Sequence, residues 1–303
     1  MKKLFNFFLF FLTFFIGNVT FSQNEKAIDE RAKNLNYPGT IASLVDSLTL
    51  NLSSDKEKAR SIYSWIAYHI EYDFVGLKNE SKLKVDPLGV ISKGKSVCQG
   101  YANLFNELAT IAGLESEVVV GWAKNGMDKI GKIDWESSNH AWNAVKIDNK
   151  WQLIDVTWGS GYGKKNKFIR EFNAIYFCTP PEKMILNHYP EDEKWKLGVN
   201  VSKEQFDLSP NYYTPFLMLD IKGLNLTKGY LQPSLFKKTQ IKFECDAEIK
   251  SILLTCDNGK TVNVDFTISK NRVVFDIKVR RKYENYMIYI NNESTLEYTS
   301  KVK

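Results

Sequence analysis

The hydrophobic pattern of this chain changes its period partway along the sequence. Up to about residue 195, helical repeats are mixed with strand-like runs, whereas strand patterns predominate beyond about residue 212. Because helices repeat every 3.6 residues and strands every two, this change indicates two regions that pack differently. The 303 residues also exceed the size of one typical domain. The sequence therefore predicts an α+β protein with two domains.

The first 22 residues have the pattern of a secretory signal peptide. Two lysines precede an apolar run from Leu4 to Ile16, which is shorter than the ~20 residues of a membrane-spanning helix. Small or weakly polar residues then lead to Ser22, after which we expect cleavage. An uncleaved anchor is the alternative, and no later apolar run is long enough to span a membrane. The sequence thus predicts a secreted, periplasmic or cell-envelope protein with no integral membrane segment after cleavage.

The charge distribution argues against nucleic acid as a partner. The net charge is +6, and basic residues are interspersed with acidic ones along the whole chain. A nucleic-acid-binding domain concentrates its basic residues in a patch or stripe, and none is visible here. The sequence makes no prediction of the oligomeric state.

The C-terminal region predicts a small β-sandwich of immunoglobulin-like type. Apolar residues alternate with polar ones over 262–268 and again over 273–279. With a turn at 269–272, these runs predict a hairpin with one buried face. Further short strands are predicted at 240–244, 252–256 and 286–290. That number of short strands is sufficient for a sandwich.

Two helices are predicted in the N-terminal region. Asp55 is an acceptable N-cap for the first, which ends near Asp73. Ser96 can cap the second, and Gly113 is its stop signal. Strands are expected to follow this second helix.

Cys98 is the candidate nucleophile because it falls in the first turn of that second helix. Unpaired backbone N–H groups and the helix dipole favour a thiolate there, and Lys93 and Lys95 add positive charge nearby. The same N–H groups can stabilise an oxyanion. The alternative is a buried, inert thiol, which is common for cysteine.

His140 and Asp155 are the candidate base and its orienting carboxylate. His140 opens a predicted strand, and the next strand ends at Asp155. A two-residue turn at 148–149 places Ile147 opposite Lys150. In that register, His140 and Asp155 lie on one face as diagonal neighbours within reach of a hydrogen bond.

The same register places His140 opposite Thr157. The other two histidines are predicted elsewhere, with His69 inside an amphipathic helix and His188 in a loop. A core imidazole and a turn-capping carboxylate remain the structural alternatives for His140 and Asp155. A zinc site is the competing chemistry, but the paired close spacing of zinc ligands is missing.

The remaining cysteines allow at most one disulfide if Cys98 stays reduced. Cys245 and Cys256 are the candidate pair, although a direct hairpin would not place them opposite each other. Cys178 is predicted to be a buried residue of a strand over 174–178.

Three motifs carry a family resemblance, namely GKSVCQGYA at 94–102, NHAWNAV at 139–145 and WQLIDVTW at 151–158. They resemble the transglutaminase-like superfamily, which has a papain-related fold, and the resemblance covers about residues 40–200. Residues 187–195 further resemble the kyphoscoliosis-peptidase branch, in which a β-rich extension follows the core. After the signal peptide predicted at 1–22, the sequence is therefore divided into a transglutaminase-like catalytic domain at 23–200 and a β-sandwich domain at 201–303.

By this resemblance Cys98 is the nucleophile, His140 the base and Asp155 the orienting residue, and no cofactor is implied. The predicted function is an exported cysteine-dependent acyl-transfer enzyme acting on peptide or protein amides, with hydrolysis preferred. Protein-glutamine transamidation is the alternative. It is less favoured because no run of carboxylates suggests a calcium loop. Ser96-Val97 also stands where Gly-Val is more usual in the family, which bears on backbone freedom at the helix start. A catalytically silent, secreted peptide-binding scaffold is the second alternative.

Overall fold

The computed structural model of this chain describes residues 12–124, 126 and 130–300, which form a mixture of helices and strands. In chain order, helices α1 to α10 have the bounds Leu12–Asn34, Ile41–Thr49, Asp55–His69, Phe74–Leu77, Pro87–Lys93, Cys98–Ile111, Val156–Ser160, Pro181–Met184, Lys203–Asp207 and Thr214–Met218. Strands β1 to β16 have the bounds Glu71–Tyr72, Lys95–Ser96, Ser116–Ala123, His140–Ile147, Lys150–Ile154, Gly161–Lys164, Lys167–Arg170, His188–Pro190, Asn211–Tyr212, Thr239–Glu244, Ile252–Cys256, Thr261–Asn263, Phe266–Ser269, Arg272–Ile277, Asn285–Ile290 and Glu293–Thr299. The predicted α+β class is confirmed.

Two compact units make up the described residues. The first contains the residues up to Val118 together with Ala141–Cys178, and the second contains Val119–His140 together with the residues from Thr179 onward. The predicted limits of the sequence domains, at residues 22 and 200, stay predictions.

Helix α3 is the centre of the first unit. Its residues from Ala59 to Ala67 are all buried, and it shares one hydrophobic core with α6. The helix begins with a capping box in which Ser54 accepts the backbone N–H of Glu57 and the Glu57 carboxylate accepts the N–H of Ser54. Ser54 is therefore the N-cap, one residue before the predicted Asp55.

Helix α1 continues through the bond after Ser22, where cleavage was predicted. Farther along this helix, Asp29 is buried and accepts hydrogen bonds from Arg60 Nε at 2.8 Å and Nη2 at 2.7 Å. It also accepts the hydroxyl of Ser64 at 2.6 Å. Such a bidentate, charge-assisted contact fastens α1 to α3. None of the helices described here is long and apolar enough to cross a membrane.

The hairpin of β4 and β5 has the predicted register. Its turn residues, Asp148 and Asn149, have φ values of 49° and 60°, which is the left-handed conformation of a type I′ turn. Ile147 lies opposite Lys150, and the pairing continues without interruption to the end of β5.

The second unit contains the predicted β-sandwich. A three-stranded sheet has the order β10-β14-β13, and a five-stranded sheet has the order β12-β11-β15-β16-β9. Apolar residues of both sheets belong to one hydrophobic core, among them Phe243 and Phe275 from the first sheet and Leu254 and Ile288 from the second. This arrangement confirms the sandwich.

The strand predicted over 262–268 is divided between the two sheets. Its first part, β12, pairs with β11, whereas its second part, β13, pairs with β14. Val262 and Ile268 are 41% and 47% exposed, so the alternating pattern does not mark one continuous buried face. The predicted turn between this run and 273–279 is present, with β13 and β14 forming a hairpin.

The segment 174–178 is not a strand as predicted. Residues Ala174–Tyr176 form a 3₁₀ helix, and Cys178 has a φ of 54°. The reason is local, because the Asn173 side chain accepts the N–H of Ile175 and starts a turn. Cys245 and Cys256 are not joined by a disulfide.

Candidate active site

Cys98 is the first residue of helix α6. The preceding Val97 is the N-cap, with an extended backbone and no side-chain cap on the helix. Ser96, the predicted cap, instead donates its hydroxyl to the carbonyl of Lys84. The N-cap residue thus offers no side-chain acceptor to the N–H groups at this helix end, and such a position favours a thiolate or an oxyanion.

Gly100 permits a close approach of the chain to the start of α6. A Cβ atom at this position would lie 2.0 Å from Ser96 Oγ and 2.9 Å from Val90 Cγ2. Ser96 is fully buried, and its carbonyl accepts the N–H of Asp73 at 2.8 Å. It has little room to retreat, so Gly100 fixes where the helix, and with it Cys98, begins.

We expect Gly100→Ala to displace the start of α6, to slow alkylation of Cys98 and to destabilise the fold by about 1–3 kcal/mol, the usual cost of overpacking. Urea unfolding and mass-spectrometric mapping of iodoacetamide labelling measure the two effects. Glu107→Ala, on the exposed face of the same helix, is the matched control and should change neither. Unaltered stability and labelling in Gly100→Ala would contradict this role.

The positive charge predicted from Lys93 is balanced by a carboxylate. Lys93 Nζ lies 2.6 Å from Asp73 Oδ2. Burial opposes ionisation of Asp73, but hydrogen bonds from Lys93 and from the backbone N–H of Gly76 prevail and hold its pKa below the usual value. The helix terminus, rather than Lys93, is therefore the main local feature that favours a thiolate at Cys98.

Asp155 is fully buried at the junction of β5 and α7. Its side chain accepts the N–H of Trp158 at 3.0 Å as the N-cap of α7, and its own N–H donates to the Tyr176 carbonyl at 2.9 Å. Because this cap starts a helix, Thr157 leaves the strand. The predicted pairing of Thr157 with His140 is wrong for that reason, whereas the hairpin before it is right.

Two tyrosines of the first unit lie near Asp155, namely the fully buried Tyr63 and the partly buried Tyr72, and Tyr72 also lies near Cys98. Burial raises the pKa of Tyr72 far above its usual value, and the charges of Cys98 and Asp155 raise it further. Burial likewise raises the pKa of Tyr63, with Asp155 as the next cause. Cys98 and Asp155 are thus both within electrostatic range of Tyr72. The two phenols stay protonated at neutral pH.

Asn139 fixes the backbone that leads into His140. Its side-chain amide imitates a strand pair with Ala123, since Oδ1 accepts the Ala123 N–H at 2.8 Å and Nδ2 donates to the Ala123 carbonyl at 3.2 Å. Its own N–H donates to the carbonyl of Gly121 at 3.0 Å. His140 follows as the first residue of β4 and is half-buried.

His188 lies beside His140, with 5.3 Å between the ring centroids. The loop predicted around His188 is wrong, because residues His188–Pro190 form β8 and pair with β3, where His188 lies opposite Ala123. Its ring is 1% exposed, and its Nδ1 is 2.7 Å from Asn187 Oδ1. Sequence reasoning missed this buried histidine, although the segment 187–195 had drawn attention through the family resemblance.

His140 and His188 belong to the second unit, and Asp155 belongs to the first, where it is fully buried. A carboxylate can orient and charge-stabilise a histidine base. Histidine and aspartate are also residue types that zinc accepts as ligands, so these three residues are the candidates for holding a metal.

The similarity to known proteins includes the region that contains Cys98, His140 and Asp155. Residues 42–156 match the sequence profile of the transglutaminase-like superfamily. Kyphoscoliosis peptidase of Mus musculus is 33% identical over 172 residues, covering 56% of this chain and 26% of that protein. The Homo sapiens protein of the same name is 32% identical over 177 residues, covering 58% and 27%. The chain therefore spans about a quarter of the length of these relatives.

One solved structure is similar at low identity. It is titled "Crystal structure of a TGase" and matches with 21% identity and a TM-score of 0.32, covering 55% of this chain and 43% of that one.

The predicted location is wrong. The matched relatives, which include kyphoscoliosis peptidase and the cytokinesis proteins 3 of Saccharomyces cerevisiae and Schizosaccharomyces pombe, are intracellular proteins. The prediction of a secreted, periplasmic or cell-envelope protein is therefore withdrawn. Residues 1–11 of the predicted leader lie outside the described residues.

Proposed function

Since residues 42–156 form a transglutaminase-like domain, we propose that this protein is a cysteine-dependent acyl-transfer enzyme that acts on peptide or protein amides. The nucleophile is Cys98, the base is His140 and the orienting carboxylate is Asp155. The observation that carries this proposal is the position of Cys98 at the start of α6, where no side chain caps the helix. The adjacent rings of His140 and His188 and the fully buried carboxylate of Asp155 support it.

The first half of the reaction forms an acyl-enzyme. The Cys98 thiolate attacks the carbonyl carbon of the amide, and the N–H groups of the first turn of α6 stabilise the oxyanion that develops. His140, as its imidazolium, then donates a proton to the departing amine. The C–N bond breaks, and a thioester between the acyl group and Cys98 remains. The buried Asp155 carboxylate stabilises the positive charge on His140 during this step.

The second half of the reaction decides the product. His140 removes a proton from the incoming nucleophile, which attacks the thioester and releases the Cys98 thiolate. Water gives hydrolysis, whereas a lysine amine gives a transamidated product. We prefer hydrolysis, because the chain lacks a run of carboxylates for the calcium loop that accompanies cross-linking in animal transglutaminases. Incubation of the protein with peptides and a fluorescent primary amine, read for both cleavage and amine incorporation, separates the two outcomes.

We expect iodoacetamide at pH 7 to label Cys98 before the other three cysteines. Burial raises the pKa of Cys178 to about 12, and burial also raises the pKa of Cys245 and of Cys256. A raised pKa keeps a thiol protonated at neutral pH, so labelling of these three should become appreciable only as the pH rises. Mass-spectrometric mapping of the labelled peptides over a pH series measures each rate.

The matched variants for this labelling are His140→Ala and His69→Ala. Loss of the base should slow labelling of Cys98, whereas His69, which stacks on Trp65 in α3, is the control and should leave the rate unchanged. Labelling of Cys98 that is no faster than that of Cys256 and does not respond to His140→Ala would reject the assigned nucleophile. If the protein is a catalytically silent scaffold, labelling of Cys98 should be slow and should not respond to His140→Ala.

A further inference from the structure

The β-sandwich of the second unit contains a cleft of about 700 Å³ at the place where the chain crosses from one sheet to the other. The crossing segment between β12 and β13 forms part of its wall. Apolar side chains, among them Leu254, Phe266, Phe275 and Tyr283, form part of its lining. This cleft lies wholly within residues 238–283 and contains none of the residues assigned to acyl transfer.

The rim of the cleft carries an excess of positive charge. Five exposed cations line it, against the two carboxylates of Asp265 and Asp276; the cations are Lys238, Lys260, Lys278, Arg280 and Lys282. None of the five forms an ion pair with a residue that the structure describes. A rim on which cations outnumber carboxylates attracts an anionic ligand.

The backbone that bears two of these cations is fixed in place. The N–H of Arg280 donates to Tyr286 Oη at 2.7 Å, and Tyr286 Oη donates to the Arg280 carbonyl at 2.8 Å. Lys282 Nζ lies 4.8 Å from the centre of the Tyr283 ring, whose hydroxyl accepts Asn258 Nδ2 at 3.2 Å. A rim that is already ordered loses less entropy when it binds a ligand.

The strands that border the cleft are the outermost strands of their sheets. Strand β12 is at one end of the five-stranded sheet, and β13 is at one end of the three-stranded sheet. An outermost strand offers backbone N–H and C=O groups to an added strand. This feature favours a peptide over an acidic polysaccharide, because only a peptide can continue the ladder of backbone hydrogen bonds.

We propose that this cleft binds an acidic peptide segment of a partner protein in an extended conformation. Its carboxylates face the five cations of the rim, alternate apolar side chains enter the interior, and its backbone pairs with the edge of β13. Binding here requires no acyl transfer, and so it is tested independently of the enzyme activity.

The experiment uses the full chain with Cys98→Ala, so that a bound peptide is not consumed. A fluorescein-labelled octapeptide of alternating glutamate and valine is titrated and followed by anisotropy. We expect saturable binding that weakens as salt increases, and no binding of the matched lysine–valine peptide. The same octapeptide methylated on every backbone nitrogen should bind at least about tenfold more weakly if strand pairing contributes its hydrogen bonds.

Charge-reversal variants locate the site. Lys278→Glu and Arg280→Glu should each weaken binding by about fivefold or more, since each replaces an attraction with a repulsion. Lys250→Glu is the control, because Lys250 is exposed on the same unit, pairs with Glu248 and does not line the cleft. Bound peptide should also protect the Cys256 thiol in the cleft from alkylation at pH 9, without protecting Cys178.

The opposite outcomes are equally specific. Equal binding of the acidic and basic peptides, equal loss in Lys250→Glu and Lys278→Glu, or unprotected Cys256 would overturn the proposed site. Competition by polygalacturonate but not by unlabelled octapeptide would identify a polysaccharide ligand and overturn the peptide. Binding of the fully methylated peptide with undiminished affinity would reject pairing with β13.

Discussion

Replacing Cys98 with alanine is expected to lower amide turnover by about 10³-fold or more, whichever acceptor completes the reaction. The reason is that the thioester cannot form without the sulfur, and only binding and oxyanion stabilisation remain. The measurement is the appearance of new amino termini and the incorporation of a fluorescent primary amine, with unfolded casein as test substrate. Cys256→Ala removes a half-buried thiol of the sandwich and is the control that should retain activity.

Asp155→Asn is the second variant for the same site, and it is designed to preserve the fold. An asparagine oxygen can still accept the N–H of Trp158, so the cap of α7 is kept. Only the negative charge and the preferred imidazole tautomer of His140 are lost. We expect turnover to fall by about 10²–10⁴-fold with little change in unfolding midpoint. Full activity in either Cys98→Ala or Asp155→Asn would remove that residue from the mechanism.

Local patterns were sufficient to predict the hairpin that carries His140. The Asp148-Asn149 pair is suited to positive φ, and a two-residue turn of that kind allows only one register between its strands. The structure has this turn and this register. The sequence therefore predicted, to the residue, the pairing of β4 with β5.

The same reasoning failed one residue beyond the strand. The sequence predicts Asp155 as an orienting carboxylate, with a buried or turn-capping carboxylate as the alternative, and the structure shows that it caps α7. Strand alternation cannot reveal this, because an aspartate at the end of a strand fits either a continued ladder or a helix start. Only the hydrogen bond to Trp158 decides between them.

His188 was missed because burial by distant partners leaves no local signal. Its neighbours Tyr189 and Pro190 are common in loops, and a strand of three residues is too short to show alternation. The pairing of this segment with β3 is a contact between residues more than 60 positions apart, as with His188 and Ala123. Such long-range pairing overrides local preference.

The prediction of a single strand over 262–268 was wrong for a related reason. Its alternation suggested a single ladder, yet its two halves join different sheets. The period of two is the same in either sheet, so the sequence pattern does not show which partner strand is chosen. This crossing produces the cleft between β12 and β13 for which we propose an acidic peptide.

A buried lysine holds the end of β3 to a distant loop of the second unit. Lys124 is 2% exposed, and its ammonium group donates to the Ser209 carbonyl at 2.7 Å, to Ser209 Oγ at 3.2 Å and to the Phe206 carbonyl at 3.3 Å. The ring of Phe206 lies 5.6 Å from the same nitrogen. This role could not be predicted from the sequence, since lysine is almost never fully buried unless its charge is compensated.

Lys124→Met is therefore expected to destabilise the second unit by about 1–3 kcal/mol. Methionine fills nearly the same volume, but it removes the ammonium donor from the Ser209 carbonyl, and leaving such a group without its donor costs ~1–3 kcal/mol. The Phe206 carbonyl keeps the Ser209 hydroxyl and N–H as donors. Urea unfolding followed by tryptophan fluorescence measures the change. Lys203→Met is the matched control, because Lys203 is exposed and its Nζ lies 4.9 Å from the centre of the Trp122 ring in a cation–π contact. Loss of that contact should cost under about 1 kcal/mol. Equal stability of the Lys124→Met and Lys203→Met chains would contradict this prediction. It would mean that the hydrogen bonds of the Lys124 ammonium only offset the free-energy cost of burying it.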